Sequence, residues 1–257
     1  MAGLELVSDA GFRADGRRPD ELRKVRARLG VLARADGSAY LEQGNTKVLA
    51  AVYGPHEVRG SRSKAPPDRA LLCCRCSSAP FAGGGERRRR PPQGGGDRRS
   101  GERALLLRGV LEGAVLGQLY PRSQIDVHVQ VLQADGGELG ASVSAAGLAL
   151  QDAGVALRGP VVAGSAGLAE PPAGPPVALS DLSAAEEAAG GPRLVVATVA
   201  GSGQLALCQL SARLHQERLR PVLDAAQAAC RGLHAVLDGV VRASDPLGDT
   251  RTLPWPQ

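Results

Sequence analysis

The sequence predicts an α+β protein built from two similar sheet-and-helix halves. Two observations indicate this fold class: strand-like and helix-like segments follow one another in mixed order, and the strand pattern begins again after Gly154. Hydrophobic residues make up 43% of the chain but aromatic residues only 2%, so Leu, Val and Ala must build the core. We expect the halves to span about 1–155 and 156–241, followed by a disordered tail over 242–257.

The first half opens with a predicted three-strand meander. The turn signals Ala35-Asp-Gly37 and Gly44-Asn45 separate its strands. A further strand follows a loop that contains proline, and an amphipathic helix follows the next, strongly basic loop. The predicted elements are strands over 25–33, 38–43, 46–53 and 71–77 and a helix over 103–119.

The middle of the chain combines a strand, a glycine turn and a helix of small residues. Apolar and polar residues alternate over 125–131, which predicts a strand with one buried face. Asp135-Gly-Gly137 ends the strand, and the small residues over 139–153 predict a helix that is buried on most of its surface. A glycine turn before a helix can also bind phosphate. Close packing is favoured over phosphate binding. The carboxylate of Glu138 would repel a phosphate, and the turn contains no Arg or Lys to attract one.

The second half is predicted to contain four strands and one long helix. Apolar residues recur at helical spacing over 214–241, which most simply indicates a packed helix face. The strands are predicted over 161–164, 177–182, 194–200 and 204–210.

Composition argues against membrane, secreted and zinc-binding proteins. No apolar run is long enough to cross a membrane, and the charges between Met1 and Arg18 do not fit a signal peptide, so we expect an intracellular protein. The 5 cysteines are not followed by a second Cys or His cluster at zinc spacing, which favours buried free thiols. The 4 histidines are scattered, which is typical of structural roles.

The basic residues point to a polyanion. The formal net charge is +5, and arginine greatly outnumbers lysine, which favours bidentate contact with phosphate. Glycine and proline surround the densest cluster, so it is predicted to lie in a loop, where nucleic-acid contact is favoured over a merely solvated charge run. A weaker patch lies in an earlier loop. The candidate RNA-contact residues are Arg98, Arg99, Arg87, Arg88, Arg89, Arg90, Arg62 and Lys64.

Five segments together resemble one protein family. They are Asp15-Gly-Arg-Arg18, Glu42-Gln-Gly-Asn-Thr-Lys-Val48, Ala51-Val-Tyr-Gly-Pro55, Arg122-Ser-Gln-Ile-Asp126 and Leu132-Gln-Ala-Asp-Gly136. In this order they are similar to the RNase PH-like ring subunits of the RNA exosome, above all to the eukaryotic counterpart of the archaeal catalytic subunit. The resemblance covers nearly the whole chain up to the C-terminal helix.

The resemblance implies a fold, partners and a cellular role. The fold is the RNase PH fold, which is similar to ribosomal protein S5 domain 2. The partners are other RNase PH-like subunits in a hexameric ring, RNA-binding cap subunits, an associated hydrolytic exoribonuclease and single-stranded RNA. The role is to scaffold the ring and guide RNA for rRNA processing, mRNA turnover and RNA degradation, in the nucleus, nucleolus and cytoplasm.

The family's active site is only partly matched in this chain. Its RNA-contacting arginine pair falls on Arg98 and Arg99. Its phosphate-binding Ser-Arg falls on Glu138 and Leu139, and its acidic pair falls on Asp181 and Glu187, where the active enzymes have two Asp. These substitutions predict a catalytically inactive member without a metal or other cofactor, because a carboxylate at Glu138 repels phosphate and a longer carboxylate at Glu187 is misplaced.

Other interpretations stay open. One is that the chain remains a phosphate-dependent 3′-to-5′ exoribonuclease with residual activity. Another is an RNA-binding protein outside any ring, although the shortage of aromatic residues counts against it. Judged without the resemblance, Asp181 could simply begin a short helical turn, with Glu186 and Glu187 in a solvated acidic edge.

Overall fold

The computed structural model describes residues 6–8, 11–58, 66–83, 98–169, 176–200 and 203–244. Within these residues it contains nine strands, four α-helices and a 3-10 turn over Gly117–Leu119. The strands are β1 (Val25–Leu29), β2 (Gly37–Gln43), β3 (Thr46–Glu57), β4 (Leu71–Ser78), β5 (Ser123–Gln133), β6 (Val161–Ala169), β7 (Val177–Ser180), β8 (Arg193–Val199) and β9 (Gln204–Ser211). The helices are α1 (Arg98–Ala114), α2 (Glu138–Asp152), α3 (Ala184–Ala188) and α4 (Gln216–Ser244).

The strands form two sheets, one in each half of the chain. The first sheet has the order β1-β2-β3-β5-β4, and the second has the order β7-β6-β8-β9. All pairs are antiparallel except β4 and β5, which run parallel, so their carboxyl ends lie at the same edge of the first sheet. The expected α+β class with two sheet-and-helix halves is confirmed.

Helix α2 lies between the two sheets and forms much of the core. It packs on β2 and β3 of the first sheet and on β6 of the second, while α4 covers β6 and β8. Its residues from Gly140 to Leu150 are all buried, as its small and aliphatic side chains predict. Every residue of β6 is buried, because α2 and α4 pack on this strand.

Gly147 tests how tightly α2 packs. A Cβ built on this glycine would lie 2.7 Å from the carbonyl oxygen of Val161, which belongs to the backbone of β6 and cannot rotate away. We expect Gly147→Ala to lower the free energy of unfolding by about 1–3 kcal/mol, despite a better helix propensity. Gly109→Ala in α1 is the matched control: a Cβ there meets nothing within 4 Å, so unfolding in urea should show equal or higher stability. Equal losses for both variants would contradict the packing argument.

Several element boundaries differ from those predicted. β1 ends at Leu29 rather than at residue 33, because Gly30 has a left-handed φ of +65°. α1 covers 98–114 rather than 103–119, since Val115 leaves the helix to pair with Leu157. α4 continues to Ser244, so the predicted tail begins at least three residues too early, and 245–257 lies outside the described residues.

Within the described residues, none of the helices combines the length and the apolar character needed to cross a bilayer.

Candidate functional site

The candidate site surrounds the Asp135-Gly-Gly137 turn between β5 and α2. Gly136 and Gly137 have left-handed φ values of +78° and +64°. A side chain at Gly136 is excluded further, because its Cβ would lie 2.6 Å from the carbonyl oxygen of Leu182. Glycine is therefore required here for both backbone conformation and space. The turn thereby brings the start of α2 against the segment that carries Asp181.

Asp181 is the most buried carboxylate of the site, with 1% of its surface exposed. Its Oδ1 accepts hydrogen bonds from Arg23 Nη2 at 2.7 Å and from Gln43 Nε2 at 2.9 Å. Its Oδ2 accepts from the backbone N–H of Arg23 at 2.9 Å and from Arg23 Nε at 3.0 Å. Burial alone would raise the pKa of Asp181, but the hydrogen bonds and charge of Arg23 outweigh it and hold that pKa below its ordinary value.

The Asp181–Arg23 pair also fixes the glycine turn. The guanidinium of Arg23 donates to the carbonyl oxygen of Asp135 at 2.5 Å and reaches that of Gly136 at 3.4 Å. Asp181 itself has a φ of +55°, which is uncommon outside glycine but tolerated by Asp. It does not cap α3, whose N-cap is Ser183 in a capping box with Glu186.

Glu186 and Glu187 both form ion pairs rather than a solvated acidic edge. Glu186 is buried and accepts a hydrogen bond from Arg13 Nε at 2.6 Å, so the solvated interpretation is wrong for this residue. Burial would raise the pKa of Glu186, but Arg13 and the backbone N–H of Ser183 lower it. Glu187 Oε1 accepts from the backbone N–H of Gly137 at 2.9 Å, and its Oε2 accepts from Arg193 at 2.7 Å. Glu187 thus contacts the glycine turn directly.

These buried carboxylates give a prediction for acid stability. Both folded-state pKa values lie below the ordinary values of about 4, so Asp181 and Glu186 stabilise the folded state fully above about pH 5. This stabilisation is lost as the pH falls through 4 toward the folded-state values. We expect urea unfolding midpoints to decrease below pH 5, with a smaller decrease in Asp181→Asn. A midpoint that is constant between pH 7 and 3 would contradict the assignment.

Glu138 has a cationic partner that the sequence did not reveal. Its Oε2 lies 2.5 Å from Nη1 of Arg103, which comes from the second turn of α1. Arg99 precedes Arg103 by four residues, so the two lie on the same side of α1. In the sequence, only the four-residue spacing of Arg99 and Arg103 indicates a basic side of this helix. The spacing does not show that Glu138 faces it. Leu139 packs partly buried against the main core.

The predicted RNA-contact residues are only partly described. Arg98 and Arg99 are the first two residues of α1, and both are exposed. Since Arg103 reaches Glu138, the start of α1 lies beside the glycine turn. The other candidates, Arg87, Arg88, Arg89, Arg90, Arg62 and Lys64, lie outside the described residues.

In the described residues, the carboxylate of Asp181 is already paired and four of the five cysteines are buried or half-buried. In the described ranges, no cluster of three His, Cys, Asp or Glu side chains is arranged to hold a metal ion. The carboxylate of Asp181 is already occupied by Arg23 and Gln43. Cys76 and Cys230 are buried as expected, Cys73 and Cys74 are half-buried, and Cys208 is exposed, so the expectation of a buried thiol is wrong for Cys208. Burial raises the pKa of Cys74 to about 12, which makes its thiol a poor nucleophile.

Comparison with known proteins identifies the family. The RNase PH model, described as "3' exoribonuclease family, domain 1", matches residues 21–156. Exosome complex component RRP41 of Mus musculus is 59% identical over 254 residues, which cover 97% of this chain and 100% of the relative. Exosome complex component Rrp41 of Pyrococcus furiosus is 40% identical over 234 residues, or 91% of this chain and 88% of the relative.

Solved structures of similar proteins share the fold. Rice Rrp46 superimposes with a TM-score of 0.77 at 26% identity, over 90% of this chain and 100% of the rice chain. A chain of the Archaeoglobus fulgidus exosome with RNA bound to the active site gives a TM-score of 0.72 at 25% identity, over 89% of this chain and 93% of that chain.

The expectation of a catalytically inactive protein is contradicted by the family match. The matched family is one of 3′ exoribonucleases, and the match includes Glu138 and Leu139, on which that expectation rested. The guanidinium of Arg103, which lies far from the turn in sequence, offsets the charge of Glu138 and so reduces the expected repulsion of phosphate. The expected RNase PH fold, in contrast, is confirmed. The chain belongs to the RNase PH family of 3′ exoribonucleases.

Proposed function

We propose that this protein is an RNase PH-like subunit of an RNA exosome that holds single-stranded RNA for 3′-to-5′ processing and degradation. The observation that carries the proposal is that the glycine turn, Asp181, Glu187 and the arginine-bearing start of α1 meet at one edge of the first sheet. Relatives named as exosome complex components match almost the full length of the chain, which supports the same assembly.

The proposal extends to partners and place of action. As a counterpart of the archaeal Rrp41 component, the chain would lie in a hexameric ring with other RNase PH-like subunits, below RNA-binding cap subunits and together with an associated hydrolytic exoribonuclease. Its place of action would be the nucleus, the nucleolus and the cytoplasm. Similarity to the mouse and Pyrococcus furiosus exosome components supports the assembly part of this proposal.

The RNA contacts are proposed to be electrostatic. Arg98 and Arg99 would bind backbone phosphates beside the glycine turn, and Arg87 to Arg90, with Arg62 and Lys64, would extend this contact along the RNA strand. Guanidinium groups suit this role because they can contact phosphate oxygens in a bidentate manner. The exposure of Arg98 and Arg99 at the start of α1 supports their part of the proposal.

Phosphorolysis by this chain is a second candidate function, favoured by its membership of an exoribonuclease family. An oxygen of inorganic phosphate would attack the phosphorus of the 3′-terminal phosphodiester, and the bond from this phosphorus to the 3′ oxygen of the preceding nucleotide would break. The terminal nucleotide would be released as a nucleoside diphosphate, and the 3′ oxygen of the shortened strand would take up a proton from the phosphate or from water. The attacking anion needs cations near the turn. Arg103 is one cation already at this place, and its charge reduces the repulsion by Glu138.

The two candidates differ in the products they release. The chain, co-expressed and purified with its RNase PH-like partners, would be given labelled single-stranded RNA with phosphate and Mg²⁺. Nucleoside diphosphates that require phosphate, and that increase in the variant carrying Glu138→Ser and Leu139→Arg, would support phosphorolysis. Nucleoside monophosphates would place cleavage in an associated hydrolytic nuclease. A complex that fails to bind RNA would contradict both candidates.

Glu138 should weaken RNA binding, because its carboxylate pairs with the guanidinium of Arg103 and so competes with RNA phosphates for that cation. We expect Glu138→Gln to raise the affinity for single-stranded RNA about 2- to 5-fold at low salt, because the partly exposed guanidinium loses its internal partner. Filter binding or fluorescence anisotropy on the assembled complex measures this change. The gain should disappear when Glu138→Gln is combined with Arg103→Met. A gain that persists in the double variant would show that Arg103 is not the group released.

A further inference from the structure

Phe81 is the most exposed large hydrophobic residue of the described chain, with 70% of its surface accessible. The whole protein contains only 2 phenylalanines. Its neighbours Ala79 and Ala82 are buried, at 8% and 3% exposure. The backbone is therefore anchored on both sides, while the aromatic ring projects outward.

The segment that carries Phe81 is a fixed turn. The N–H of Ala82 donates to the carbonyl of Ala79 at 3.0 Å, which closes a four-residue turn with Pro80 and Phe81 at its centre. Ala79 also donates to Val131 at 2.8 Å, and the carbonyl of Ala82 accepts from Ala134 at 2.9 Å. These bonds attach the turn to the end of β5. The ring is held on a rigid support and not on a free loop.

This position brings the ring to the candidate site. Ala134, which is bonded to Ala82, directly precedes the Asp135-Gly-Gly137 turn. β4 and β5 are parallel, so the segments that follow both strands leave the sheet at the same edge. The start of α1, with its exposed arginines, reaches this edge through the contact of Arg103 with Glu138. An open aromatic ring and guanidinium groups thus share one edge of the sheet.

The Phe81 side chain is open to a ligand, since 70% of the residue's surface is exposed. Aromatic rings beside basic residues bind single-stranded nucleic acid, because every base offers a π face for stacking while the cations hold the backbone. A ring that only filled a pocket of another subunit would not need the neighbouring arginines.

We propose that Phe81 is a stacking platform for one base of the single-stranded RNA held at this edge. The inference rests on the proposed RNA-contacting function and adds a contact that is independent of charge. It predicts that Phe81 contributes to affinity but not to its dependence on salt, because stacking releases no counterions.

The test compares Phe81→Leu and Phe81→Tyr in the assembled complex. Leucine keeps an apolar side chain but removes the π face, so we expect RNA affinity to fall about 5- to 100-fold. Phe81→Tyr keeps the π face, so its RNA affinity should stay close to that of the wild type. The slope of log affinity against log salt should be the same in all three proteins. A set of oligonucleotides with one abasic nucleotide at successive positions completes the test: at one position, the difference between wild type and Phe81→Leu should disappear.

Each outcome has a definite meaning. Equal affinity of wild type and Phe81→Leu would overturn the stacking proposal while leaving the proposed RNA-contacting function intact. Failure of Phe81→Leu to enter the complex would identify the ring as a subunit contact and would also overturn the proposal. A wild-type complex without RNA affinity would remove the proposed function, and the stacking proposal with it. Loss of affinity at one abasic position with an unchanged salt slope supports stacking.

Discussion

Replacing Asp181 by Asn is expected to lower the free energy of unfolding by roughly 3–5 kcal/mol, because a buried guanidinium would lose its counter-charge. Asp181 accepts three hydrogen bonds from Arg23 and one from Gln43, and almost none of its surface is exposed. Arg23 in turn holds the carbonyl of Asp135. The substitution should therefore also loosen the glycine turn.

Urea unfolding followed by circular dichroism measures this loss. Asp238→Asn is the matched control, since it makes the same chemical change in a partly exposed Asp–Arg pair on α4. Exposed helical pairs contribute about 0.3–0.5 kcal/mol, so the control should unfold almost like the wild type. Equal effects of the two substitutions would show that Asp181 is not a structural ion pair.

This expectation changes how activity measurements on Asp181 are interpreted. The family resemblance places Asp181 in the acidic pair of the active site, and loss of nuclease activity in Asp181→Ala would usually be attributed to catalysis. Here the same variant removes the support of the glycine turn. Activity data on Asp181 therefore support a catalytic role only when the variant unfolds at the same urea concentration as the wild type.

Much of the fold could be predicted because it depends on local patterns. β5 and α2 followed from alternation over 125–131 and from the run of small residues after the turn, and both appear close to the predicted bounds. The ion pairs could not be predicted in this way. Arg23 and Asp181 are 158 positions apart, and Arg13 and Glu186 are 173 apart, so only the assembled fold brings them together.

The error about catalysis has the same origin. In the sequence, no cation lies beside Glu138 and Leu139. The cation comes from α1, and Arg103 lies 2.5 Å from Glu138. The cations of this site therefore do not all lie within the family motif. The charge that an approaching phosphate meets depends also on the helices packed around the motif.

Reversing the charges of Arg98 and Arg99 should strongly weaken RNA binding by the assembled complex. Each phosphate contact on a single strand contributes a salt slope of about 0.7. Losing two contacts would lower the slope by about 1.4 and the affinity by about 25-fold at 0.1 M salt. The added carboxylates would repel the backbone further, so we expect at least this loss for the variant with Arg98→Glu and Arg99→Glu.

The control is the same charge reversal on the opposite edge strand of the first sheet. Arg26 and Arg28 are exposed on β1, which is the edge strand opposite β4. Arg26→Glu with Arg28→Glu changes the net charge equally, so it reports any general electrostatic effect of the protein on RNA. If both double variants lose the same affinity, RNA responds to net charge and not to a defined path. A loss of affinity and salt slope confined to Arg98 and Arg99 would locate the path at the start of α1, the helix whose Arg103 contacts Glu138.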